Sequence, residues 1–240
     1  SGAGQALRLY AERFVLPAHE KKKNAVNILG ATPLDFSVNG QIQSIARRLT
    51  EGGFSVQSVW AMGSETAAID RAGEAEVNLV VSSVGLPVAK FLRERFGTPY
   101  VVGVLFGDTV SALLLGALQK SIHTGENEIL PAGTPDAPDT VILGESVTSR
   151  SLAAALLLDY GICAEVICPV ELPRELEGSF CRQIEDEQDL QAALSGARRV
   201  IADPLFAPIV PQGAQFFPLP HEAYSGRIYR KQIPNLVTTW

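Results

Sequence analysis

The hydrophobic residues of this chain come in short runs divided by glycine-marked polar turns, and their spacing alternates between two periods. Ala25–Leu29 is a compact apolar run ending at Gly30, which predicts a strand. From Asn39 to Thr50 the apolar positions Ile42, Ile45, Ala46 and Leu49 fall at helical spacing, and Gly52-Gly53 stops the helix. Phe54–Trp60 reads as a second strand. Ser64 is a good N-cap for a short helix over Glu65–Ala72. Glu76–Ser82 predicts a third strand, Val88–Phe96 an amphipathic helix ending at Gly97, and Tyr100–Val104 a fourth strand. Asp108 is the expected cap of a helix over Thr109–Lys120. Repeated strand–helix units of this kind predict a parallel, doubly wound sheet.

Residues 1–23 read as a peripheral segment with a short helix at Leu7–Phe14, and residues 123–138, rich in Pro and polar residues, as a linker. The pattern then restarts. Asp139–Leu143 predicts a strand ending at Gly144, and Val147–Asp159 a helix capped near Ser146 and stopped at Gly161. Strands are expected at Ile162–Ile167, Arg199–Ala202 and Gln215–Phe217, with a helix at Asp186–Leu194 between the first two. The helix over 147–159 is apolar on nearly every side, so it should be buried on more than one face, at a domain or assembly interface. The fold class is α/β: two tandem Rossmann-like domains, each a mostly parallel sheet flanked by helices. The first spans 24–122. The second spans 139–240 and includes a C-terminal loop segment.

Composition narrows the function. The 240 residues carry a net charge of −6, which argues against a nucleic-acid partner. The basic run Lys21-Lys-Lys23 reads as solvated linker. No apolar run is long enough to span a membrane, and no signal peptide is visible. Ser1-Gly-Ala-Gly looks like a cut in a loop or a cloning scar. Three cysteines make no disulfide framework, and a reducing cytoplasm is the natural reading. Cys163 and Cys168 are expected on opposite faces of one strand and Cys181 in a loop, an arrangement that suits core or surface thiols and not shared ligation.

Neither strand-to-helix turn, Gly30-Ala-Thr-Pro-Leu-Asp35 or Gly144-Glu-Ser-Val-Thr-Ser-Arg150, carries a dinucleotide or P-loop fingerprint. Ser146, Thr148 and Arg150 near a helix N-terminus could cradle an anion, although plain capping would use the same residue types. Ser82, Ser83 and Gly85 follow the third strand, at the carboxyl end where such sheets bind ligands. Simple turn chemistry also accounts for them. His221 lies between Pro220 and a Tyr224-Ser-Gly-Arg227 turn, where a neutral imidazole could ligate metal, relay a proton, or merely bond to loop backbone.

Taken in order, Val26-Asn-Ile-Leu-Gly30, Ile42–Leu49, Ala75-Glu-Val-Asn-Leu-Val80, Leu92–Tyr100, Ala202-Asp-Pro204 and His221-Glu-Ala-Tyr-Ser-Gly226 resemble the nitrogenase component 1 family. The resemblance implies three Rossmann-like domains per subunit, of which this chain supplies the second and third. The missing first one carries the cysteines of a bridging iron–sulfur cluster. It further implies a homologous component 1 partner subunit, an oligomeric assembly, and an ATP-dependent iron–sulfur reductase that passes electrons to a substrate or cofactor between the domains. An iron–sulfur cluster, metal cofactor or tetrapyrrole would belong to the full complex, with none held by this chain alone. Where alpha-type subunits of the family place a cofactor-ligating Cys, this chain has Ser82, a poor ligand for a soft metal. His221 falls near their second ligand.

By the same resemblance, Ser82, Ser83 and Gly85 would contact the bound group. The 144–150 loop would bind an anion or propionate, and His221 with Arg227 would act as ligand or proton relay. The alternative reading is a non-catalytic scaffold or partner subunit that holds a metal cluster or tetrapyrrole.

Overall fold

A computed structural model describes residues 2–131 and 138–240. After helix α1 (Gly2–Phe14), five strands form the first sheet: β1 (Lys22–Leu29), β2 (Ser55–Val59), β3 (Ala75–Val80), β4 (Tyr100–Val102) and β5 (Glu128–Ile129). They are joined through α2 (Pro33–Phe36), α3 (Gln41–Glu51), α4 (Thr66–Asp70), α5 (Leu86–Phe96) and α6 (Gly107–Thr124). The second sheet holds β6 (Thr140–Leu143), β7 (Ala164–Cys168), β8 (Cys181–Gln183), β9 (Arg199–Ala202) and β10 (Gln215–Pro218). With it go α7 (Ser146–Tyr160), α8 (Glu187–Leu194) and α9 (Glu222–Tyr229).

Every strand pair in both sheets is parallel. The order is β2-β1-β3-β4-β5 in one sheet and β10-β9-β6-β7-β8 in the other. Each is a doubly wound α/β sheet, and each has one place where the winding reverses. That place lies between β1 and β3 in the first sheet and between β6 and β9 in the second. Neighbouring loops there leave in opposite directions and open a crevice at the carboxyl ends of the strands.

One apolar core continues from the first sheet into the second. Val26, Leu79, Val101 and Leu114 belong to it, and so do Ala153–Ala155 of α7 with Ile142, Val166 and Cys168. A smaller core on the other face of the second sheet holds Val141, Leu143, Ile167 and Val200 with Leu190 and Leu194 of α8. Strand alternation sorts these residues: Val141 and Leu143 face α8, while Ile142 between them faces α7. This explains the composition of α7. It is pressed between its own sheet and α6, so a single apolar stripe would not suffice; only its end, Leu158 and Tyr160, is exposed.

The interior of the first sheet also contains a polar ladder. The Ser58 hydroxyl donates to Asn27 Oδ1 at 2.7 Å, Asn27 Nδ2 donates to Asn78 Oδ1 at 2.8 Å, and Trp60 Nε1 donates to Ser58 Oγ at 3.0 Å. All four residues are buried. Their mutual bonds remove the penalty of burying amides and hydroxyls inside a sheet.

Several local expectations change. β5 lies within the segment read as linker, of which residues 132–137 fall outside the described residues. The basic run is not solvated linker: Lys22 opens β1, and Lys21 Nζ donates to Gly73 O and Thr98 Oγ1. Ser64 does not cap α4; its hydroxyl accepts from Val59 N at 2.7 Å, and Glu65 takes the cap position. Asp108 is not the cap either: the helix begins at Gly107 with Phe106 at the cap position, and the Asp108 carboxylate pairs with Arg48 of α3 at 2.9 Å. Cys163 precedes β7 rather than belonging to it, and Cys181 is on β8 rather than in a loop. The turn-rich segment after Pro220 is helix α9.

Candidate functional site

The carboxyl ends of β3 and β6 meet. Glu145, directly after β6, has its carboxylate at the N-terminus of α7, where Oε2 accepts from Thr148 N at 2.9 Å. Its Oε1 accepts from Ser83 N, in the turn after β3 of the other sheet, also at 2.9 Å. Ser146 Oγ adds a bond at 3.1 Å. The end of α7 is therefore already filled by an anion of the chain itself. The Ser146 hydroxyl and the Thr148 backbone N are engaged by that carboxylate, and the cap is Glu145 rather than Ser146. Arg150 is likewise engaged, donating to Leu176 O at 3.0 Å and Leu130 O at 2.9 Å.

On the first sheet, β1 and the turn after β3 pack backbone to backbone. Gly30 has φ +86°, and a Cβ there would meet Gly85 N and Ser82 Oγ at 2.8 Å. A Cβ on Gly85 would meet Leu29 O at 2.6 Å. Both positions therefore exclude a side chain. Ser82 is fully buried and its hydroxyl donates to Gly30 O at 2.7 Å. Ser82 and Gly85 thus stand behind the crevice and do not form its surface; Ser83 bridges to Glu145. Asp35 of α2 stands beside them, its Oδ2 accepting from Thr32 Oγ1 at 2.7 Å. Burial, reinforced by the charge of Glu145, raises the Asp35 carboxyl to about 6.

The second sheet brings His221. Its backbone N donates to Asp203 Oδ2 at 2.7 Å, and the same oxygen accepts from Ser225 Oγ at 2.6 Å. Asp203 Oδ1 accepts from Leu205 N, so this buried carboxylate joins the end of β9 to the start of α9. His221 is the N-cap of α9: Nδ1 accepts from Ala223 N at 3.3 Å. Nε2 is enclosed and has no hydrogen-bond partner among the described residues. The ring leans on Tyr224 at 5.2 Å between centroids. Burial lowers the His221 pKa against the pull of Glu145, Asp203 and Glu222, which favours the neutral ring. Burial, with Glu145 next, raises the Tyr224 phenol, which stays protonated. Glu222 closes the seam, accepting from Ser37 Oγ at 2.6 Å and pairing with Arg230. Arg227 is exposed on α9, apart from this cluster.

Of the residues singled out from the sequence, Ser83, Ser146, Thr148 and His221 come together around Glu145; Arg227 does not. Asp35, Glu145, Asp203, Glu222 and Tyr224 were missed. A usable signal existed for two of them: Glu145 and Asp203 each follow within two residues of β6 and β9, the strands that flank the reversal.

Two doubly wound parallel sheets whose carboxyl ends meet define an α/β protein of Rossmann-like architecture. A family model described as nitrogenase component 1 type oxidoreductase matches residues 1–143, and the chain belongs to that family. It is similar to one subunit of the light-independent protochlorophyllide reductase of Nostoc punctiforme, 30% identical over 130 residues, which are 52% of this chain and 26% of that protein. The corresponding protein from Synechococcus sp. strain CC9311 is 26% identical over 204 residues, 79% of this chain and 37% of that protein. The matches thus span from a quarter to somewhat over a third of these relatives. Among solved structures, a nitrogenase Cp1 at pH 5 superimposes with a TM-score of 0.59, covering 92% of this chain and 56% of that one at 13% identity, a likeness of fold.

The side chains present do not suit an iron cofactor. Ser82, the counterpart expected for a ligating thiolate, is committed to Gly30 O. Cys168 and Cys181 face each other at 4.0 Å inside the core. No group of three or more His, Cys, Asp or Glu is placed to hold a metal ion among the described residues. His221 offers one free nitrogen, short of a coordination set.

Proposed function

We propose that this chain is the crevice-forming part of a nitrogenase component 1-type oxidoreductase subunit, in which a substrate bound where the two sheets meet is reduced. Electrons would come from an ATP-dependent iron–sulfur reductase by way of a cluster held outside this chain, with a homologous subunit completing the assembly. The observation that carries this reading is the convergence of both sheet reversals on one set of polar side chains, Asp35, Glu145, His221 and Tyr224. A reduction consumes protons with its electrons, and a titratable side chain beside the substrate can supply them.

A tetrapyrrole is the substrate class favoured by the similarity to the light-independent protochlorophyllide reductases. In this reading the chain's own residues bind and protonate, and no step runs through a metal on Ser82 or His221. His221, kept neutral and with Nε2 unengaged, would donate or accept one hydrogen bond to the bound molecule. Arg227, exposed on α9, would meet a carboxylate at the outer edge.

The second reading, a scaffold that holds its cargo without reducing it, draws on the engaged Ser82 hydroxyl and the lack of a suitable donor set among the described residues. The test is to isolate anaerobically the full-length subunit containing this segment, together with its partner, and to add tetrapyrrole, reductase and ATP. ATP-dependent reduction supports the first reading. Stoichiometric binding without reduction supports the second.

A further inference from the structure

Cys168 and Cys181 form a pair that the crevice does not use. Cys168 ends β7, and Cys181 begins β8, the edge strand of the second sheet. The register pairs Cys181 with Val166 and Cys168 with Gln183, so the two cysteines sit diagonally on one face of the sheet. Val166, Cys168 and Cys181 belong there to the larger core under α7, and neither cysteine is exposed. The sulfurs lean together to 4.0 Å. The diagonal runs two residues along the strand and one strand across, which sets the Cα atoms about 8 Å apart. A disulfide spans less than about 7 Å, so the pair is not built to close into one.

The spacing suits one ion held between two thiolates. A thiolate binds an ion such as zinc at roughly 2.3 Å, so two sulfurs on one ion stand about 3.8 Å apart at the tetrahedral angle and about 4.6 Å apart in line. The observed separation falls between these limits, and side-chain rotation alone admits an ion. The charges nearby point the same way. Arg150 of α7 donates to Leu176 O and Leu130 O, and its guanidinium also bonds to the Cys181 sulfur. Among the described residues no carboxylate forms an ion pair with it. A half-buried cation with only carbonyls and a thiol beside it calls for an anion. Two thiolates supply one only with a cation of their own between them, because contact with Cys181, burial and the Glu145 charge all hold the Cys168 thiol protonated. One monovalent ion on two thiolates leaves a single negative charge, which Arg150 matches.

The donor set selects the ion. No group of three or more His, Cys, Asp or Glu is placed to hold a metal among the described residues, so the four-ligand shells of zinc and iron–sulfur clusters are not built here. We propose that Cys168 and Cys181 form a two-coordinate site for copper(I), a soft ion that two thiolates suffice to hold, with Arg150 as its charge partner. The site stands apart from the reductive reading above. Binding exchanges two thiol protons for one copper(I): both protons pass to solvent, two S–Cu bonds form, and no electron moves. The way in is the sheet margin, where β8 is only three residues long and opens locally at little cost. The bound ion ties this edge strand to β7.

The test presents the anaerobic chain with copper(I) buffered by a chromogenic chelator, and separately with zinc(II). One copper(I) per chain is expected, kept in Cys163→Ala and lost in Cys168→Ala and Cys181→Ala. X-ray absorption of the copper should show two sulfur neighbours, and wild type and Cys163→Ala should melt higher with the ion than without it. Arg150→Met should weaken copper(I) binding by about 10-fold, with Arg150→Lys recovering part of the loss. No copper(I) taken from the chelator, copper(I) kept in Cys168→Ala, copper(I) lost in Cys163→Ala, or a shell of three or more sulfurs overturns the site. Zinc(II) held as tightly by the same pair overturns the two-coordinate assignment. If both alanine variants of the pair unfold, the absorption spectra of wild type and Cys163→Ala decide the question by themselves.

Discussion

Glu145 Oε1 accepts a hydrogen bond from Ser83 N at 2.9 Å, and this bond ties the end of β6 in one sheet to the turn after β3 in the other. The same carboxylate caps α7 through Thr148 N. Replacing Glu145 by Ala removes a helix cap and leaves two amides without their acceptor. The expected cost is roughly 2–3 kcal/mol of unfolding free energy, measured by chemical denaturation. Glu145→Gln should recover part of it, because the amide oxygen can still accept.

Asp35 predicts the pH dependence of stability. Its folded pKa, about 6, lies above the unfolded value near 4. The folded state therefore binds the proton more tightly, and this contribution is fully present below pH 4 and is lost as pH rises through 6. Asp35→Asn, a neutral isostere, should be more stable than wild type at pH 8 by about 2 kcal/mol and close to it at pH 4. His221 acts in the opposite sense, because its lowered pKa costs stability as pH falls below about 6.5. Thermal melts of wild type and Asp35→Asn across pH 4–8 read the difference; equal melting shifts at every pH would contradict the assignment.

The polar ladder inside the first sheet gives a prediction remote from the crevice. Asn27→Ala strips Ser58 of its acceptor and Asn78 Oδ1 of its donor, all inside the core. A loss of roughly 2–4 kcal/mol follows from the unsatisfied groups and the lost volume. Asn27→Leu should do no better, since it leaves the same partners unpaired.

Thiol chemistry should divide the cysteines. Cys168 and Cys181 are buried, and the Cys168 thiol is pushed up by its contact with Cys181 and by burial. Cys163 is partly exposed. A maleimide reagent should label Cys163 alone in the native chain and all three after denaturation, as read by mass spectrometry.

The last residues fasten the two sheets together. Arg48 donates to Val237 O, Asn235 donates to Ser44 Oγ, and Trp240 Nε1 donates to Asp159 Oδ2 at 2.6 Å. Val237 is fully buried beneath them. Val237→Ala should cost about 2 kcal/mol, the transfer energy of two carbons plus a small cavity. Limited proteolysis should then cut the tail sooner than in wild type.

The strands with a run of apolar residues and a following glycine were legible in the sequence, because burial on both faces leaves no polar alternation to obscure them. The edge strands β5 and β8 were not, since two or three residues at a sheet margin carry too little pattern. Helix α9 was hidden by Pro218, Pro220 and Gly226, which read as loop; its start is held from a distance by the Asp203 carboxylate, which accepts from His221 N and Ser225 Oγ. The caps expected at Ser64, Asp108 and Ser146 lie one or two residues from the observed ones, Glu65, Phe106 and Glu145, and their side chains bond to Val59 N, Arg48 and Glu145 instead. His221 was visible as a lone histidine among prolines. Asp35 was not, because its character comes from Glu145, 110 positions away in the chain and adjacent across the crevice.

The central claim is reduction at the place where the two sheets meet. The most direct measurement is the absorption spectrum of a tetrapyrrole during anaerobic incubation with the full-length subunit, its partner, the iron–sulfur reductase and ATP. The account predicts an ATP-dependent shift from the substrate's bands to those of a reduced macrocycle. A tetrapyrrole that binds and keeps its spectrum while the reductase is oxidised would contradict it.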